Sequence, residues 1–178
     1  MLKRDDTVLI FIDVQGKLAE LTDHSGALFN NLRRLLAGMR ALDIPVIFTE
    51  QLPDKLGATR AEFQEFISIP PVVKSSFSCC GEPEFVKALT ALKRNQVILC
   101  GIEAHICVYQ TARELLNEGF AVQVVTDAVS SRDPANKALA LRRLEMEGAA
   151  LTGVEMLLYE LLGSAKAPEF KIILQIVK

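Results

Sequence analysis

The chain has 178 residues, of which 50% are hydrophobic and 24% charged, with a formal net charge of −2. This length suffices for one domain with a substantial buried core, and we predict a single domain over residues 1–178. The balanced charge argues against disorder and against an electrostatic attraction to nucleic acid or to an anionic membrane. The expected partner is therefore a small molecule or another protein.

Six short apolar runs along the chain are typical of strands that are covered on both faces. In chain order they are 7–13, 45–50, 71–76, 96–102, 121–128 and 149–153. Segments with helical spacing lie between most of them. This alternation predicts βαβ units, and so a three-layer α/β/α sandwich of Rossmann type around a central, mostly parallel six-stranded sheet.

The N-terminus and the cysteines favour a cytosolic protein. The first apolar run, VLIFI, is too short for the hydrophobic segment of a signal peptide or for a membrane span. The four cysteines are Cys79, Cys80, Cys100 and Cys107, and no C-x-x-C spacing occurs. We therefore expect reduced thiols rather than a disulfide framework.

Several polar residues follow the predicted strands, at the edge where parallel sheets bind their ligands. They are Asp13 and Gln15, Glu50 and Gln51, Lys74, residues 101–107, and Asp127.

Three of these positions can take part in covalent chemistry. Taken singly, Asp13 is typical of a loop carboxylate, Lys74 of a side chain that extends to the surface, and Cys107 of a small buried hydrophobe. Their common position at one sheet edge favours a shared site, in which carboxylate and ammonium compensate each other's desolvation. Cys107 also falls in the first turn of a predicted helix that begins near Ala104. There the helix dipole and a neighbouring lysine are expected to lower the pKa of its thiol.

The sequence offers few ligands for a metal ion or a cofactor. His105 has only Cys100 and Cys107 nearby, fewer than the roughly four donors of a typical zinc site. His24 is isolated, and His105 is two positions from Cys107, which points it elsewhere on a helix. No glycine-rich phosphate-binding motif follows any strand. We expect no metal and no cofactor.

Four motifs, in this order, make the chain similar to the isochorismatase-like cysteine hydrolase superfamily: FIDVQ, KSSFS, GIEAHICV and VVTDAVSSR. The segments TEQLPDKLGAT and CGIEAHICV most resemble the subgroup called isochorismatase domain-containing proteins. The resemblance covers nearly the whole chain and implies one hydrolase domain with the α/β fold described above.

The resemblance also implies roles for individual residues. Cys107 would be the nucleophile, Asp13 would take its proton and pass it to the leaving amine, and Lys74 would stabilise the thiolate. The family has a cis peptide bond before the nucleophile, here between Ile102 and Glu103. This bond would direct the backbone N–H groups of Glu103 and Cys107 towards one point, as an oxyanion hole.

Departures from the family pattern restrict the reaction. The segment after the second strand has no histidine, which argues against the metal site of nicotinamidases, and Cys107 argues against the vinyl ether hydrolysis of isochorismatase itself. Ala104 replaces the usual threonine of the turn. We therefore expect C–N bond hydrolysis of a small amide through a thioester. The alternative is a catalytically weak family member that acts as a binding or scaffold protein. A redox role for Cys79 and Cys80 is a third possibility.

The predicted substrate contacts are Gln15, Leu18, Leu52 and Phe77. The resemblance implies a homo-oligomer, a dimer or larger. The apolar run FKIILQIV, residues 170–177, is equally consistent with a helix that covers a partner subunit and with one that packs on its own sheet.

Overall fold

The computed structural model describes residues 1–178 and contains one sheet of six parallel strands. The strands are β1 Thr7–Ile12, β2 Val46–Gln51, β3 Val72–Lys74, β4 Gln96–Ile102, β5 Ala121–Ser130 and β6 Ala150–Thr152. Their spatial order is β3-β2-β1-β4-β5-β6, and all neighbouring pairs are parallel. The predicted fold class is confirmed.

Eight α-helices surround the sheet: α1 Gly16–Glu20, α2 Ser25–Ala41, α3 Pro53–Leu56, α4 Pro83–Ala91, α5 Tyr109–Asn117, α6 Pro134–Met146, α7 Val154–Leu162 and α8 Phe170–Val177. Short 3₁₀ turns cover Arg4–Asp6, Ala61–Phe66 and Cys79–Gly81, and a π-helical turn covers Ala104–Val108. No helix combines the length and apolar character that a membrane span requires.

Two hydrophobic cores lie on opposite faces of the sheet. One is built with α2, α7 and α8, and the other with α4, α5 and α6. Strand β1 supplies both, because successive side chains of a strand point to opposite faces: Leu9 and Phe11 enter the first core, and Val8, Ile10 and Ile12 the second. The continuous apolar run of β1 is thus explained by burial on both sides.

Local signals in the sequence set several element ends. The side chain of Asp133 caps α6 by accepting a hydrogen bond from Ala135 N at 2.8 Å, with Pro134 in the first helical turn. Gly119 and Gly148 follow α5 and α6 with φ values of 89° and 102°, which glycine adopts without steric cost.

The C-terminal helix α8 packs on its own chain. Ile173 is fully buried in the core that α8 shares with α2 and α7, so α8 lies on helices rather than directly on the sheet. Ile172 is 50% exposed on the outer side of α8.

Gly101 allows β4 and β1 to end side by side. Its φ is 112°, and a Cβ at this position would collide with the main chain of Ile12. The register between β4 and β5 also shifts between Leu99 and Gly101. Any larger residue here would push apart the strand ends that carry Asp13 and the turn to Cys107.

Candidate active site

Asp13, Lys74 and Cys107 meet at the carboxyl edge of the sheet. Lys74 Nζ lies 2.7 Å from Asp13 Oδ2 and 3.6 Å from Cys107 Sγ. The three residues are 3%, 1% and 7% exposed. Asp13 follows β1, Lys74 ends β3, and Cys107 lies in the π-helical turn after β4, so the parallel sheet itself collects them at one point.

The Asp13 carboxylate is held at one oxygen and open at the other. Thr49 Oγ1 donates to Oδ1 at 2.7 Å, and Asp13 N donates to Thr49 O at 3.3 Å. Oδ2 accepts no hydrogen bond of good geometry, although the Lys74 ammonium lies 2.7 Å away. The ion pair offsets the cost of burial, and a lone pair of Oδ2 remains available for a proton.

The Lys74 ammonium is enclosed by acceptors. Besides its ion pair with Asp13, it donates to Gln51 Oε1 at 2.6 Å and to the main-chain oxygens of Ser76 and Phe77, each at 3.1 Å. Burial by itself would lower the pKa of Lys74, but the negative charges of Asp13 and of an ionised Cys107 outweigh it and raise that pKa above its usual value. The side chain is therefore an ammonium at neutral pH.

The Cys107 thiol differs from the expectation. Burial, followed by the charge of Asp13, raises the pKa of Cys107 to about 12, and the opposing effect of Lys74 is smaller. The predicted lowering of this pKa is wrong for the unliganded site, because desolvation and a nearby carboxylate both disfavour the thiolate. The helix does begin at Ala104, but as a π-helical turn in which Val108 N donates to Glu103 O at 3.3 Å.

The turn before Cys107 has a cis peptide bond between Ile102 and Glu103, the position at which the resemblance implies one. The N–H of Glu103 has no acceptor within the protein. Its carboxylate accepts hydrogen bonds from Arg132 N at 2.9 Å and Arg132 Nε at 3.1 Å. Glu103 thus ties this turn to the segment after β5.

A cleft of about 210 Å³ opens next to the three residues. Its walls include Leu18 and Phe77, two of the predicted substrate contacts, together with Leu56, Ile102 and Ile106, and Arg132 lies among them. A larger cavity, of about 490 Å³, lies near the start of β2 and contains none of the three reactive side chains. The smaller cleft is therefore the candidate active site, because it is the one next to the reactive side chains.

Two predicted substrate contacts do not line this cleft. Gln15 is fully buried and clamps the end of β2: its Oε1 accepts from Gln51 N at 2.7 Å, and its Nε2 donates to Gly57 O at 2.5 Å. Leu52 precedes α3 in a left-handed conformation, with φ of 38°, and Leu56 of the same helix lines the cleft instead. Neither side chain lines the cleft, because strand-end position alone does not decide which way a side chain points, and their contact with a substrate stays a prediction.

Sequence reasoning also missed two polar residues of the cleft. Gln51 appeared among the strand-end residues without a role, and Arg132 lay unused in the motif VVTDAVSSR; both line the cleft beside Cys107. His105 points away from it, with Nδ1 2.9 Å from Ser131 Oγ. No group of three or more His, Cys, Asp or Glu side chains is placed to hold a metal ion, and all four cysteines are free.

Comparison with known proteins identifies the family of this chain. The isochorismatase domain family matches residues 7–156. Isochorismatase domain-containing protein 2 of Danio rerio is 39% identical over 170 residues, covering 96% of this chain and 86% of the relative.

Two solved structures are similar over nearly the whole chain. The MAR1 ribonuclease of Caenorhabditis elegans has a TM-score of 0.92 and 36% identity, with 99% of this chain and 91% of the other covered. YcaC of Pseudomonas aeruginosa, solved with hexane-2,5-diol and covalent acrylamide, has a TM-score of 0.92 and 27% identity, covering 98% and 90%. The family match spans most of the chain, and the protein therefore belongs to the isochorismatase family.

Proposed function

We propose that this protein is a cysteine hydrolase that cleaves the C–N bond of a small amide through a thioester on Cys107. The observation that carries the proposal is the contact of the Lys74 ammonium with both Asp13 and Cys107, at 2.7 and 3.6 Å, beside an open cleft. A nucleophile, a base and a cation within contact distance are the groups that acyl transfer requires.

In the first half-reaction, Cys107 Sγ attacks the amide carbon and its proton moves to Asp13 Oδ2. Because the pKa of the thiol is raised to about 12, the attack depends on Asp13 accepting the thiol proton. Asp13 Oδ2 accepts no hydrogen bond of good geometry, so one of its lone pairs is available for this proton. The N–H groups of Glu103 and Cys107 stabilise the oxyanion, and Asp13 then gives the proton to the departing amine.

In the second half-reaction, water attacks the thioester. Asp13 takes a proton from that water and returns it to the sulfur as the acid product leaves. Lys74 stays charged throughout, because its pKa is raised above the usual value. No step needs a metal ion or an external cofactor.

The cleft favours a small substrate with an apolar part. Its volume of about 210 Å³ is below the range typical of sites for drug-sized ligands, and most of the lining is hydrophobic. The covalent acrylamide of the related YcaC supports access of small amide-bearing molecules to a reactive group in this fold. The cytosolic location, the homo-oligomeric state and the absence of nucleic-acid and membrane partners stay predictions.

Turnover of a panel of small primary amides, measured by ammonia release, tests the proposal. We expect hydrolysis by the wild-type protein and none by Cys107→Ala, while the matched control Cys80→Ala retains it. Intact-mass spectra of the wild type with a slow substrate are expected to show an acyl adduct on Cys107.

Three results would contradict the proposed amide hydrolysis through a thioester on Cys107. Undiminished hydrolysis by Cys107→Ala would exclude the thioester. No turnover of any amide, with retention of a biological or partner-binding function in Cys107→Ala, would favour a binding or scaffold protein. Since the related MAR1 is named a ribonuclease, an RNA substrate belongs in the panel, and its Cys107-dependent cleavage would replace the amide assignment.

A further inference from the structure

The Lys74 ammonium has more acceptors around it than it has protons. An ammonium carries three N–H donors, yet five acceptor atoms surround this one: Asp13 Oδ2, Gln51 Oε1, Cys107 Sγ and the two main-chain oxygens of the loop after β3. The shortest contact, 2.6 Å, is to Gln51, a neutral side chain to which the mechanism above assigns no role.

The Gln51 side chain has only one orientation that satisfies its neighbours. Its Nε2 donates to Ser75 O at 2.8 Å, and its Oε1 faces the ammonium. A flipped amide would direct an NH₂ group at a cation and an oxygen at a carbonyl. The main chain is equally fixed, because Gln51 N donates to Gln15 Oε1 at 2.7 Å and Gln51 pairs with Lys74 across β2 and β3.

We propose, building on the hydrolase function above, that Gln51 is a positioning residue whose side-chain carbonyl holds the Lys74 ammonium between the Asp13 carboxylate and the Cys107 sulfur. Transfer of the thiol proton moves the negative charge from Oδ2, 2.7 Å from Nζ, to Sγ, 3.6 Å from Nζ. An ammonium tethered by neutral carbonyls stabilises either charge without moving, and such preorganisation lowers the barrier.

Removal of this tether has a specific consequence. In Gln51→Met, a side chain of similar length fills the space but offers no oxygen to the ammonium. The ammonium then moves towards the full charge of Asp13 and away from the sulfur, so the thiolate loses stabilisation. This loss of thiolate stabilisation requires Lys74, whereas the effect of a packing defect would be the same without Lys74.

The test is the rate of Cys107 alkylation by iodoacetamide as a function of pH, followed by peptide mass spectrometry, because this reaction needs no substrate. We expect Gln51→Met to react about threefold to tenfold more slowly than wild type below the thiol pKa, with the profile displaced to higher pH by up to about one unit. In a Lys74→Met background, Gln51→Met is expected to cause no further slowing. Gln123→Met, the same change on β5, serves as the matched control.

Equal slowing by Gln51→Met in both backgrounds, or no slowing in either, would overturn the positioning role. If Lys74→Met does not fold, the comparison uses Asp13→Asn/Lys74→Met, which buries no unpaired charge. Lys74-dependent slowing without amide turnover by the wild type would keep the positioning role and contradict only the hydrolase function. Failure to alkylate Cys107 at any pH would contradict both.

Discussion

Cys100 and Cys107 are seven positions apart, and both are buried, yet they lie in opposite kinds of surroundings. Cys100 lies within β4, fully buried in the hydrophobic core, and the only polar partner of its thiol is Ile10 O, at 3.7 Å. Burial alone raises the pKa of Cys100. Cys107 lies beside a carboxylate, an ammonium and an open cleft, and its raised pKa is a balance between burial, Asp13 and Lys74.

A raised thiol pKa therefore has different chemical consequences at the two cysteines. At Cys100 no group can accept the thiol proton, so the side chain is a small hydrophobe. At Cys107 the carboxylate that raises the pKa is also the acceptor for the proton, and the cleft lets an electrophile approach. Reactivity therefore depends on the proton acceptor and on access, not on burial alone.

The largest expected effect is the ratio of labelling rates of the two thiols in the native protein. Iodoacetamide is expected to modify Cys107 at least about a thousandfold faster than Cys100, because Cys100 becomes accessible only through global unfolding, at a cost of at least several kcal/mol. Peptide mass spectrometry with and without urea measures this ratio. Similar labelling rates of Cys100 and Cys107 in the native protein would contradict the proposed difference in reactivity.

Asp13→Asn is expected to separate the two effects of the carboxylate. Loss of the proton acceptor lowers amide turnover about 10²- to 10⁴-fold. Loss of the negative charge lowers the pKa of Cys107, so simple alkylation near neutral pH becomes faster, by about tenfold. Parallel turnover and alkylation assays check the split, and a decline of both rates would contradict the predicted fall of the Cys107 pKa.

Lys74→Met is expected to destabilise the fold by about 3–5 kcal/mol, because it leaves the Asp13 carboxylate buried without its counter-charge. Asp13→Asn/Lys74→Met removes both charges and is expected to recover part of this loss. Urea denaturation of the wild type and the three variants gives the coupling. Additive losses would indicate that the buried ion pair contributes no net coupling to stability.

The smallest effect is expected in the loop after β3, whose two main-chain carbonyls accept hydrogen bonds from Lys74. No such loop lies beside Cys100. Glu82 Oε1 accepts from Ser75 N at 2.8 Å and from Ser76 N at 3.0 Å, and these hydrogen bonds lower the pKa of Glu82 to about 2. We expect Glu82→Gln to cost about 1 kcal/mol of unfolding free energy at neutral pH.

The contribution of Glu82 to the free energy of unfolding depends on pH. Because the folded state favours the ionised form, the contribution of Glu82 is present above its ordinary pKa of 4.5 and is lost as the pH falls towards about 2. The stability difference between the wild type and Glu82→Gln should therefore shrink over this range. Urea denaturation at several pH values measures it, and a constant difference would point to packing instead.

Patterns that act locally were predictable from the sequence. The six strands, the glycine stops after α5 and α6 and the cap of α6 follow from apolar runs and residue types whose conformational preferences do not depend on distant contacts. The rule that parallel strands present their carboxyl ends at one edge also brought Asp13, Lys74 and Cys107 into one region before any distance was known.

Features that depend on side-chain direction or on several opposing charges follow from three-dimensional packing instead. Gln15 and Gln51 are both glutamines near strand ends, yet Gln15 is a buried clamp and Gln51 contacts the ammonium at 2.6 Å. The pKa of Cys107 required the distances to Asp13 and Lys74 and the degree of burial, since these effects oppose one another. The order of residues along the chain places the reactive groups at the sheet edge, whereas three-dimensional packing sets which of them touch and whether the pKa of Cys107 rises or falls.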